Sequence, residues 1–244
     1  MRRVDDWRRG LLLVLLLTGS VTAADWPGFL GPRRDGISSE TGLLKTFPAT
    51  GPPRVWRFDA GVGMAGLAVS GNRLVTLADI GGKQQVLALQ ATTGKRLWQT
   101  PVAPAYRNGM GNGTRATPTI VGDRVLVFTG EGQLAALSLA TGKLLWKQDV
   151  VATLGGQVAD YGMSSSPLVA GKLVVVTPGA PAATVAAYQL ADGKLAWKAG
   201  SGPAGYSSPA LLNIGGRLQV VAFAGASAWG LDPVKGTRLW QFPY

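Results

Sequence analysis

The side chains best equipped for chemistry fall in three segments too long to be tight turns: "YRNGMGNGTRATP" (106–118), "GQVADYGMSSSP" (156–167) and "GPAGYSSP" (202–209). They gather Tyr106, Arg107, Asn108, Arg115, Asp160, Tyr161, Tyr206 and Ser207. Arg107 and Arg115 suit an anionic group, Tyr161 and Tyr206 suit a flat ring or a peptide groove, and Asp160 suits a hydrogen-bond donor. The same residues also admit a purely architectural role, with tyrosines packed over a channel mouth, arginines solvated and Ser/Thr-Pro pairs starting strands.

Other chemistries are narrowed by composition. The 244 residues contain no histidine and no cysteine, so Ser-His-Asp and Cys-His nucleophilic sites and ordinary zinc sites are excluded. "GVGMAG" (61–66) fits G-x-G-x-x-G, but a dinucleotide site needs a helix next, and "LAVSGNRLVTL" reads as strand. Asn112-Gly113-Thr114 fits a glycosylation sequon by accident, and no phosphate-cradling G-x-x-x-x-G-K-[ST] occurs. The carboxylates show no paired or loop-type metal spacing, so neither a catalytic residue nor a metal ligand is assigned.

The elements that must carry these segments come from a repeat. Aligned on tryptophan, "ALQATTGKRLW" ends at Trp98, "ALSLATGKLLW" at Trp146, "AYQLADGKLAW" at Trp197 and "GLDPVKGTRLW" at Trp240, with an incomplete "GPPRVW" at Trp56. Successive tryptophans are 42, 48, 51 and 43 residues apart, the period of a propeller blade. Each copy reads as strand, glycine turn, strand. A second hairpin turns upstream at "SGNRLVTL", "VGDRVLVF", "AGKLVVV" and "GGRLQVV", and three of these follow Thr117-Pro118, Ser166-Pro167 and Ser208-Pro209. Two hairpins per period make a four-stranded sheet, with first-blade strands near 67–70, 73–78, 85–90 and 95–100. No helical periodicity is evident. A lone four-stranded sheet exposes both faces and must stack, so Trp56, Trp98, Trp146, Trp197 and Trp240 are read as wedges between blades.

The start of the chain has a different grammar. "MRRVDDWRRG" carries four arginines, "LLLVLLL" is apolar and "TGSVTAA" ends small, the order of a secretory signal peptide over residues 1–23. The apolar core is shorter than the roughly 20 residues a membrane span needs, so cleavage after Ala23 or Ala24 is expected rather than anchoring. Removal takes away four arginines and two aspartates and lowers the formal charge from +11 to +9. Eight of the 20 cations then left lie in the repeated stretches and no run of five occurs, which argues for a solvated surface and against nucleic acid. Residues 24–53 form a leader and 54–244 the repeats.

A strand, then Thr-Gly, three residues and Trp resembles the repeat of quinoprotein-like β-propellers, the family of pyrroloquinoline-quinone-dependent alcohol dehydrogenases and of the outer-membrane barrel assembly lipoprotein. "DWPGFLGPRRDGIS" (25–38) is similar to the opening of exported bacterial members. The aspartate that begins the family's turn is Gln90, Ser138 and Gln189 in three copies and is kept only as Asp232.

The resemblance implies an all-β propeller of four-stranded antiparallel blades. Four full blades and one orphan strand around Trp56 are countable, expected to be part of a seven- or eight-bladed ring. It also implies an exported, soluble, periplasmic binding or scaffold module meeting a protein or small envelope ligand at the channel-end loops. The alternatives are an oxidoreductase using pyrroloquinoline quinone with calcium, and a sugar-binding partner. No cofactor is expected, because no carboxylate matches the dehydrogenases' ligand positions and their adjacent cysteines are absent.

Overall fold

The computed structural model describes residues 24–244. Residues 1–23, read from the sequence as a signal peptide, lie outside the described residues. Sixteen strands form four separate sheets, each an antiparallel meander in chain order. The first holds β1 (Ala68–Ser70), β2 (Arg73–Ile80), β3 (Lys83–Gln90) and β4 (Arg96–Pro104). The second holds β5 (Thr119–Val121), β6 (Arg124–Phe128), β7 (Gln133–Ser138) and β8 (Leu144–Asp149). Next come β9 (Leu168–Ala170), β10 (Leu173–Val176), β11 (Val185–Gln189) and β12 (Leu195–Ala199), then β13 (Ala210–Ile214), β14 (Arg217–Ala224), β15 (Ser227–Leu231) and β16 (Arg238–Pro243).

Two-residue alternation explains why the sheets stack. Val125 and Val127 of β6 join a core shared with the first blade, while Leu126 and Phe128 join one shared with the third. In β10, Val174 and Val176 face the second blade and Leu173 and Val175 the fourth. Interior blades are therefore apolar on both faces, and their middle strands read as continuous Val/Leu runs rather than as an alternating pattern.

Each blade bends at an equivalent place. The register slips at Ala88/Leu89, Ala136/Leu137, Ala187/Tyr188 and Gly230/Leu231, so that Trp98, Trp146, Trp197 and Trp240 stand opposite Ala88, Ala136, Ala187 and Gly230. Such a bulge re-aims a side chain, and a small residue opposite leaves room for the indole.

Two details differ from the sequence reading. Residues 53–60 form no ladder, so the segment around Trp56 is unpaired backbone, although its indole is docked on the first blade. A single helical turn, α1 (Val150–Thr153), follows β8. Its Asp149 cap accepts a hydrogen bond from the Ala152 N–H, and Val150 and Val151 are buried in the core. Four residues are too few for a periodicity to show.

Candidate functional site

The three long segments connect the outer strand of one blade to the inner strand of the next, and so lie at one end of the stack with the β2–β3 and β6–β7 turns. Their first residues are locked. Tyr106 is 7% exposed, and a Cβ added at Gly130 or Gly162 would lie 2.6 or 2.8 Å from its ring, so both glycines are required for the phenol to sit between them. The Arg115 guanidinium lies over that ring, 4.7 Å from its centre, and donates to the carbonyls of Gly111, at 2.7 Å, and Gly113. Tyr106 and Arg115 thus shape the loop, with the guanidinium engaged by its own segment's carbonyls.

Arg107 is also engaged, 3.2 Å from Asp79 at the end of β2. The Asp79 side chain is 4% exposed and its Oδ1 has no partner. Burial pushes its carboxyl above the ordinary range, opposed by the Tyr106 backbone N–H and by Arg107. Beside it Gln84, fully buried, donates to the Pro104 carbonyl at 2.8 Å and to Glu131, and accepts from the Gly130 N–H at 3.0 Å. Asp79, Gln84 and Glu131 were not singled out from the sequence. The available signal was their place against glycine turns, as in "LADIGGKQQ" and "TGEGQ".

The remaining residues lace the segments together. Asn108 Nδ2 donates to the Asp160 carbonyl at 2.7 Å and to the Tyr106 hydroxyl at 3.2 Å, tying the first segment to the second. The Tyr161 N–H donates to the Tyr206 hydroxyl at 3.3 Å and the Ser164 hydroxyl to the Tyr206 carbonyl at 3.1 Å, tying the second to the third. The Tyr161 and Tyr206 rings, 49% and 46% exposed, face each other 5.5 Å apart at 31°. A cleft of about 550 Å³ opens beside them, lined by Gln157, Val158, Asp160, Pro203 and Tyr206 among others. The Asp160 carboxylate and Ser207 are exposed on this rim. Seven of the eight candidates therefore form one connected surface, with Tyr161, Tyr206, Asp160 and the Asp79-paired but exposed Arg107 presented and Tyr106, Asn108 and Arg115 supporting; Ser207 stands beside it.

The Ser/Thr-Pro pairs bridge blades around the channel: the Thr117 N–H donates to the Ser166 hydroxyl at 3.0 Å and the Ser166 N–H to that of Ser208 at 2.9 Å.

A calcium-held quinone does not fit this donor set. No group of three or more Asp, Glu, His or Cys able to hold a metal occurs among the described residues. Asp79 and Glu131 are engaged by Arg107 and Gln84, and Asp160 lines the cleft beside Tyr206 with no other carboxylate. No described helix is long and apolar enough to cross a membrane.

The family described as outer membrane protein assembly factor BamB matches residues 41–106 and 82–243. Among solved structures, BamB from Moraxella catarrhalis is 21% identical, with a TM-score of 0.53 over 76% of this chain and 55% of that one. Quinohemoprotein alcohol dehydrogenase from Comamonas testosteroni is 17% identical, with a TM-score of 0.60 over 90% and 41%. A europium-containing methanol dehydrogenase is 18% identical, with a TM-score of 0.56 over 74% and 42%. The chain thus spans about half or less of the length of these structures, and the likeness is one of fold. No curated protein sequence matches it.

Proposed function

The chain belongs to the family described as outer membrane protein assembly factor BamB, a family of PQQ-like repeat propellers, and on that premise we propose that it is an exported, non-catalytic binding module of the bacterial cell envelope. Its loop end receives a protein partner, and its repeats, from residue 54 onward, provide the rigid mount. The observation that carries this reading is the exposed Tyr161–Tyr206 pair on a face of laced segments, beside a cleft large enough for a few side chains. Half-exposed tyrosines, one held by its backbone N–H and the other by its hydroxyl and carbonyl, offer broad contact area at low cost in conformational entropy. The third blade, which both segments adjoin, is packed on both faces, so the platform rests on a rigid sheet.

The oxidoreductase reading draws on the dehydrogenases of similar fold, but it needs a cofactor cage these residues do not form. The test separates the two. A photo-crosslinker at position 207 in the exported protein should trap one envelope protein, and Tyr161→Ala with Tyr206→Ala should abolish that adduct while the fold survives. Quinone- and calcium-dependent oxidation of short alcohols by the purified protein would overturn the binding reading in favour of the enzyme.

A further inference from the structure

The segment Asp25–Gly36, "DWPGFLGPRRDG", is absorbed neither by the blades nor by the loop face. The innermost strand of a blade pairs on one side only, and its other edge presents bare N–H and C=O groups toward the channel. This segment covers those edges. Trp26 and Val69 of β1 exchange both backbone bonds, at 2.9 and 2.8 Å, and the Ile120 N–H of β5 donates to the Pro27 carbonyl at 2.7 Å. Arg34 then reaches the carbonyls of Pro167, at 3.0 Å, and Ser166, at 3.3 Å, just ahead of β9. At the other end the Asp25 carboxylate accepts from the Gly71 N–H and the Ser70 hydroxyl, both at 2.7 Å, and the Ala24 N–H donates to Glu40.

The segment is held in a conformation that free peptide avoids. Leu30 and Arg34 adopt φ of 59° and 55°, left-handed values that cost a side-chain-bearing residue free energy and persist only where the surroundings impose them. Gly31, at φ 80°, lies so close to Trp26 that an added Cβ would come within 2.8 Å of the indole. Arg34 has only carbonyls as polar partners, and burial pushes its guanidinium down to about 10, so it is seated against a desolvation cost.

We propose that the channel-side edges of the first two blades and the carbonyls just ahead of β9 form a groove for a peptide that pairs at β1 and β5 and then turns, and that residues 25–34 are its resident occupant, a strap that closes the groove to other chains. The inference is independent of the partner-binding role of the loop face, because it concerns the inner edges and not the tyrosine pair. It gives the strap a recognition rule: main-chain pairing at β1 and β5, an aromatic at the first blade and a cation at the third. Beyond the strap a cavity of about 410 Å³ remains against β5, β9 and β13, bounded by Arg33, Thr119, Val121, Val169 and Leu211.

The experiment uses the full chain, the Gly31→Ala variant and the Trp26→Ala/Arg34→Ala variant. In both variants the Val69 and Ile120 amides should exchange with deuterium at least about tenfold faster than in the parent, while β6 and β7 amides keep their protection. A fluorescent synthetic peptide of residues 24–37 should bind the double variant and not the parent. Equal exchange of the Val69 and Ile120 amides in all three proteins, or peptide binding that does not distinguish parent from double variant, would overturn the proposal. Should either variant lose its fold, the parent alone decides: trypsin should cut after the exposed Lys45 well before Arg34, and first cleavage at Arg34 would show that the strap is not seated.

Discussion

The interior blade boundaries and the outer face of the fourth blade carry one sequence motif and build two different surfaces with it. At the boundaries, Trp98 lies over Gly142, Trp146 over Gly193 and Trp197 over Gly236, so closely that a Cβ on any of these glycines would fall within 2.5 to 2.6 Å of the indole. Each ring N–H donates to a carbonyl of the same turn: Leu139 at 3.0 Å, Leu190 at 3.0 Å and Pro233 at 3.3 Å. Trp56, from unpaired backbone, uses the first blade's Gly94 and the Ala91 carbonyl in the same way. Trp240 meets no such turn among the described residues. Its ring covers Gly230 of its own sheet and its N–H donates to Gln219 at 2.7 Å. On the same sheet Leu212, beside Gln219, and Phe223 and Phe242, both opposite Ala228, are exposed. The motif encodes half of a contact, and the glycine turn of the next blade supplies the rest.

This contrast can be broken at graded strengths. The largest effect belongs to Trp146→Ala, which removes an indole that is 8% exposed at the central boundary and should cost about 3–5 kcal/mol in urea unfolding. Trp240→Ala should cost about 1 kcal/mol or less, because the ring is packed on one side only. Equal losses for the two would show that both indoles are equally integrated.

Gly193→Ala tests the other half of the contact. The new methyl would strike the Trp146 ring, at a residue with φ of 72°, and should cost about 2–4 kcal/mol. Gly215→Ala, with φ of 60° but open space around it, isolates the backbone penalty at about 1 kcal/mol. The difference between them measures the docking clash in the folded state.

A third comparison sets the buried Asp79 against Asp232, in a surface turn. Backbone N–H groups of Lys235 and Val234 and the side chain of Arg217 hold the Asp232 carboxyl below its ordinary range, whereas burial raises that of Asp79. A raised carboxyl pKa means that the folded state holds the proton more tightly than the unfolded chain. Its stabilising contribution is full below the unfolded value and is lost as pH rises through the folded one. Relative to Asp79→Asn, the parent should therefore be most favoured near pH 3.5 and least favoured near pH 7. Asp232→Asn should show the opposite slope, with the parent's advantage lost on acidification. Thermal melts across that range would read both, and parallel curves would refute the assignment of either shift.

The smallest stability effect belongs to the tyrosine platform. Tyr161→Ala should change unfolding free energy by about 1 kcal/mol or less, since the ring is half exposed and its backbone, not its hydroxyl, makes the bond to Tyr206. A large loss would move Tyr161 from the presented surface into the structural class that holds Tyr106.

The chain's order alone determined the period, the hairpins and the four-stranded blades, because strand alternation and glycine turns act over a few residues. The first-blade strands read near 73–78 and 85–90 lie within Arg73–Ile80 and Lys83–Gln90. It also pointed to the three long segments, since length and composition are local properties. Only the tertiary structure decided which of their side chains are presented. Arg115 was spent on its own loop's carbonyls, Arg107 on a carboxylate 28 residues earlier, and Asn108 on a carbonyl 52 residues later. It likewise placed Trp26 beside Val69 and, among the described residues, left Trp240 without a turn to dock on. Hydrogen-bond partners across such separations are chosen by how blades stack, and stacking is a sum of apolar contacts that no single residue type announces.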